Sequence, residues 1–160
     1  MSAELAVAVC ALLLTIGQAW LSRRHNRLSV MPHLQWSFDH TWSNSGLEYG
    51  LSIQNHGLGP ARILQVELFK NNEPFDTKCS DPIKRILVAT LGDTAPFHVR
   101  VSSFPKRNYS LKANAEYRLV KIEFPGMTPE LEEKINVPKL DVRIEYESFY
   151  GDSRVLDTRA

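Results

Sequence analysis

Hydrophobic and polar positions alternate along much of this chain, and the first break in that pattern is the most telling. Leu5 to Leu21, LAVAVCALLLTIGQAWL, is a run of 17 residues without a charge, with Glu4 before it and Arg23, Arg24 and Arg27 after it. As a helix it covers roughly 25 Å, slightly less than the hydrocarbon core of a bilayer. Trp20 falls at its C-terminal end, where an amphipathic ring suits the head-group layer, and the arginine stems can extend to water. A buried core helix is the main rival, but such helices keep a polar face and this run is apolar all round. The pattern predicts a membrane-spanning helix through Leu5 to Leu21, with Trp20, Arg23, Arg24 and Arg27 at the membrane interface.

A cleaved leader would carry its basic residues before the apolar run and a small-residue cleavage site after it. Here the charges are reversed, so a retained anchor is expected. Lys and Arg beside a span stay on the cytoplasmic side, which predicts an external N-terminus and a cytoplasmic domain.

Beyond Pro32 the period falls to two. His33 to Phe38 sets Leu34, Trp36 and Phe38 on one side. After a turn at Thr41 to Gly46, Leu47 to Gln54 does the same with Leu47, Tyr49, Leu51 and Ile53, which predicts an antiparallel hairpin. Asn55-His56-Gly57-Leu58-Gly59-Pro60-Ala61 reads as a tight corner whose glycines supply positive φ; it lacks the lysine and following helix of a phosphate-binding loop. Further strands are expected at Arg62 to Phe69, Pro96 to Val101, Glu116 to Phe124 with a bulge, Leu140 to Tyr146 and Arg154 to Leu156. Asp81-Pro82 starts a helix that could reach Leu91 and stop at Gly92, with a strand through Ile86 to Ala89 as the rival, and Thr128-Pro129 starts one or two turns ending near Lys134.

Seven or eight short strands without long helices between them argue for a mainly β fold. The expected architecture is an N-terminal transmembrane helix followed by an antiparallel immunoglobulin-like β-sandwich with one or two short helices. The anchor and its basic flank occupy residues 1–28 and the sandwich residues 29–160.

Charge removes one class of function. The net charge is +1, and setting aside Glu4 and the three arginines leaves 16 Lys and Arg against 17 Asp and Glu, so no nucleic-acid partner is expected. Cys10 lies in the apolar run and Cys79 in the domain, which therefore carries no internal disulfide, as a reducing compartment permits. Histidines 25, 33, 40, 56 and 98 show no metal-ligand spacing, so no metal or cofactor is expected. Glu130, Glu132 and Glu133 suit the first turn of a helix, while Asp141, Glu145 and Glu147 suit the solvated face of a strand. No serine sits in a nucleophile elbow, and a hydrolase or metal enzyme is the least favoured class.

The anchor, the arginine cluster, the Asn55 to Ala61 corner and the closing strand-turn Tyr146 to Gly151 together resemble small, largely uncharacterised bacterial proteins with one membrane helix and an immunoglobulin-like domain. The resemblance implies that fold and an inner-membrane location, and no activity. The expected partners are the bilayer and another protein, met through Trp42 or through the basic, aromatic loop carrying Phe104, Lys106, Arg107 and Tyr109. A sensor or accessory domain at the cytoplasmic face is the leading expectation; a periplasmic, envelope-associated domain is the alternative.

Overall fold

The computed structural model describes residues 2–75, 81–91, 96–134 and 140–159. It begins with α1 (Ala3–Ser29), a helix of 27 residues with none buried, long and apolar enough to cross a membrane. The helix ends before Pro32, whose ring disfavours helical backbone at the residue ahead of it.

The rest is mainly antiparallel β-structure. β1 (Leu34–Ser43) and β2 (Gly46–Asn55) form a hairpin about Asn44 and Ser45. β3 (Ala61–Lys70) turns through Asn71 and Asn72, both at positive φ, into a short β4 (Glu73–Phe75). α2 (Pro82–Leu91) precedes β5 (His98–Ser102), β6 (Ser110–Leu111) and β7 (Glu116–Pro125). α3 (Pro129–Lys134), β8 (Leu140–Glu147) and β9 (Ser153–Asp157) complete the order. One sheet runs β1-β2-β7-β5; the other runs β4-β3-β8-β9, with β6 against the start of β3.

The two sheets share one apolar core. Leu47, Ile53, Val120, Ile122 and Phe124 enter it from the first sheet, and Ile63, Leu68, Val142, Ile144 and Tyr146 from the second. α2 adds Ile83, Ile86, Leu87 and Leu91, a spacing that puts them on one helical face. Each such side chain, fully buried, contributes about 1.5–3 kcal/mol. The bulge expected in β7 is present: the pairing with β2 slips at Leu51/Ser52, and Leu119 and Val120 are consecutively buried.

Five particulars differ from the sequence reading. β1 extends through Trp42, because Thr41 and Trp42 pair with Glu48 and Leu47 and only Asn44 and Ser45 are left to turn. β4 follows a two-asparagine turn where the sequence suggested a turn alone. Gly57 and Gly59 are not at positive φ; they make room, since a Cβ on Gly57 would lie 2.3 Å from the Met31 carbonyl oxygen and one on Gly59 1.7 Å from that of Val30. Asp141 is buried instead of solvated, beside the hydroxyl of Thr158 at 3.1 Å. Glu132 holds its expected place in the first turn of α3 but turns its carboxylate across to β1 and β2. The expected stop at Gly92 and Cys79 lie outside the described residues.

Asn55 closes this end of the domain. Its fully buried side chain donates to the carbonyls of Gly59, Leu111 and Lys112 at 2.8, 3.1 and 3.2 Å, and accepts from the amides of His33 and Gly57 at 3.1 and 3.0 Å. Asn55→Ala leaves these buried groups without partners, and stability is expected to fall by about 3 kcal/mol. Denaturant unfolding of the full chain in detergent, followed by circular dichroism, measures it. An unchanged midpoint would remove Asn55 from this role.

Candidate functional site

Strand β1 carries its apolar residues on the inward face of the first sheet. Trp36 lies opposite Ile53, Phe38 opposite Leu51, His40 opposite Tyr49 and Trp42 opposite Leu47. Cross-strand partners share a face, so β1 points the same way as the buried residues of β2. Only Leu34 is covered; Trp36 is 47 % and Phe38 54 % exposed. β1 is the edge of its sheet and has no second strand partner among the described residues.

The uncovered face opens into a groove of about 570 Å³ between the sheets. Trp36, Phe38 and His40 line it from β1, Tyr49 and Leu51 from β2, and Val120 and Ile122 from β7. Gly50 of β2, Leu87 of α2, Leu140 and Asp141 of β8, and Thr158 contribute the remainder. Its size falls within the ordinary range for binding clefts, about 300–1,000 Å³.

Aromatic rings run along the groove in contact. Phe38 meets Tyr49 with centroids 5.5 Å apart, His40 meets Tyr49 at 5.0 Å and Trp42 edge-on at 6.1 Å, and Tyr49 meets the buried Phe124 at 5.7 Å. Such contacts hold each ring by its neighbours and fix the shape of the surface.

A polar cluster sits among these rings. Glu132, in the first turn of α3, accepts a hydrogen bond from the Tyr49 hydroxyl and lies 3.0 Å from Nε2 of His40. The Thr128 hydroxyl accepts the amide of Leu131 at 3.3 Å and starts this helix. The Tyr49 hydroxyl and, secondarily, His40 hold the Glu132 carboxyl below its ordinary range, against its partial burial. Burial and the adjacent carboxylate raise the Tyr49 hydroxyl well above its ordinary value, so it stays protonated and donating.

The residues expected from sequence are not brought together. Trp42 is exposed at the hairpin end of β1, whereas the 103–109 loop is bonded to the start of β3: Ile63 donates to the carbonyl of Tyr109 at 2.8 Å, and Asn108 to that of Ile63 at 2.7 Å. Phe104 packs against the core, Lys106 and Arg107 are exposed, and Tyr109 meets Tyr117 edge-on at 5.2 Å. On α1, the guanidinium of Arg24 lies 5.5 Å from the Trp20 ring, and Arg27 binds Asp152 at 2.8 Å. Trp36, Phe38, His40, Tyr49 and Glu132 were missed as a site. The available signal was His40, a titratable residue in the otherwise apolar row Leu34, Trp36, Phe38, Trp42. No group of three or more potential metal ligands occurs among the described residues.

The depressed Glu132 pKa fixes a pH dependence. Stability from this carboxylate is present above its ordinary value of 4.5 and is lost as pH falls through the lower folded-state value. Wild type is expected to melt above Glu132→Gln at neutral pH, and the gap to close in acid. Paired thermal melts across that range check it; a gap independent of pH would contradict it.

No curated protein and no solved structure matches the chain. One family model does, over residues 1–160: the chain belongs to the family described as Domain of unknown function (DUF8453).

Proposed function

We propose that this protein is a membrane-anchored interaction domain, held by α1 at the cytoplasmic face of the bacterial inner membrane, whose groove takes an extended apolar segment of a partner protein. The observation that carries this reading is β1, a ten-residue edge strand with aromatic rings at alternate positions of an inward face left largely exposed beyond Leu34. An incoming strand can pair with the free edge while its alternate side chains enter the groove beside Trp36 and Phe38. The two antiparallel sheets around one core support an immunoglobulin-like form in outline. The arginines found only after the apolar run support the cytoplasmic orientation. An accessory or sensor role, without catalysis, suits a groove whose titratable cluster is occupied with itself.

Two measurements test this. A photo-crosslinking amino acid at Phe38, facing the groove, is expected to give a discrete adduct in cells, and the same group at Gln35 on the opposite face none. Equal adducts from both faces, or none from either, would reject the groove. For orientation, Ser45→Cys is expected to resist a membrane-impermeant maleimide in cells with an intact inner membrane and to react once that membrane is opened. Reaction while it is intact would place the domain in the periplasm.

A further inference from the structure

Three large apolar side chains stand in solvent at the end of the domain where α1 arrives: Leu58 at 74 %, Phe149 at 79 % and Tyr150 at 51 % exposure. Leu58 lies between Gly57 and Gly59, the glycines whose backbone rests against Met31 and Val30, directly after α1. Phe149 and Tyr150 form the β8–β9 turn, whose Asp152 accepts the guanidinium of Arg27 in the last turn of α1. Both tips are thus tied to the point where the helix ends.

Their exposure is built in. The buried Ser148 hydroxyl accepts the amides of Tyr150 and Asp152 at 3.2 and 3.1 Å and donates to the Asp152 carboxylate at 3.1 Å, while Gly151 takes φ +81°. This locks a turn that carries two aromatic rings outward, meeting edge-on at 5.7 Å. The Asn55 network fixes the other tip in the same way.

The geometry points to a lipid surface as the partner of these tips, and we propose that Leu58, Phe149 and Tyr150 enter the head-group layer of the bilayer that α1 spans. This rests on the membrane reading of α1 above. From Leu21, where the apolar run ends, to Arg27 is about 9 Å of helix rise, and the head-group layer is about 5–8 Å deep. Asp152 therefore meets Arg27 close to the outer limit of that layer, with Phe149 and Tyr150 in the same turn. Aromatic and aliphatic side chains on exposed loops suit this zone, which binds amphipathic rings and apolar tips together. The surrounding charge complements anionic lipid: Arg23, Arg24, Lys112 and Arg154 are exposed at this end, and the carboxylate of Asp152 is taken up by Arg27. The result is a two-point attachment that sets the tilt of the domain.

The full chain, with Cys10→Ser and Cys79→Ser, is placed in vesicles of phosphatidylcholine and phosphatidylglycerol. An environment-sensitive fluorophore is attached through Leu58→Cys, Phe149→Cys or, at the opposite hairpin, Ser45→Cys. Spin-labelled lipid quenches fluorophores that lie in the head-group layer. Loss of fluorescence and a blue-shifted emission are expected at 58 and 149 and neither at 45. Adding Phe149→Ser and Tyr150→Ser is expected to relieve the quenching at 58. Protein that floats with the vesicles while 58 and 149 stay unquenched overturns this inference and leaves the span intact. Quenching at 58 that persists without the aromatics also overturns it, as does self-quenching between labelled copies without any effect of spin-labelled lipid, which assigns the tips to a second copy. Protein that fails to float overturns the span and this inference together.

Discussion

The side chain of Asn55 is the interaction on which the domain depends. A carboxamide offers two donor hydrogens and one acceptor oxygen, and here all of them are engaged with backbone, away from water. The five groups it binds come from three stretches far apart in sequence: the exit from α1 at His33, the 55–60 corner, and the Leu111–Lys112 segment. The backbone of the same residue adds bonds to Ala115 and Asn114. Hydrophobic packing draws the two sheets together but does not choose a register between loops. Directional bonds in a buried site do, because each one left unmade costs more than one made contributes.

With that end closed, the opposite edge can stay open. Leu34 is buried beside Tyr146, whose hydroxyl lies 3.4 Å from its amide, and from there β1 leaves the cover of the second sheet. The aromatic row that follows keeps the alternation of a core strand without a core to fill. Glu132 compensates in part, reaching from α3 to hold Tyr49 and His40 in place. A preorganised apolar surface of this kind limits the ordering that a bound segment would require.

Much of the framework was legible in the sequence because period-two alternation names the inward face of a strand. It placed the longer strands and the bulge at Leu119 but not the short β4 and β6, while the cap residues Asp81-Pro82 and Thr128-Pro129 placed both short helices. Alternation does not say whether the inward face is covered, since coverage depends on how far the other sheet extends. Trp36 and Phe38 accordingly read as one side of a strand, with no sign that this side lines a groove. Non-local contacts were hidden for the same reason: Gly57 and Gly59 are required by the backbone of residues 30–33, and Glu132 is turned by partners more than 80 positions away. Asp141 read as solvent-facing because its neighbours Arg143 and Glu145 are charged, yet the end of the chain folds over it at Thr158.

The brevity of the connection between α1 and β1 sets how the domain searches. Only four residues, 30–33, separate them, and Arg27 clasps Asp152 across even that short span. On the proposed reading the groove has almost no tether to pay out, and cannot sample the volume of the cell. Its encounters are confined to a thin layer along the bilayer, where a partner held in the same layer is met at an effective concentration far above its average, and modest intrinsic affinity suffices. One without such attachment gains nothing from this confinement, so on that reading a joint of a few residues would act as a filter on which proteins are bound.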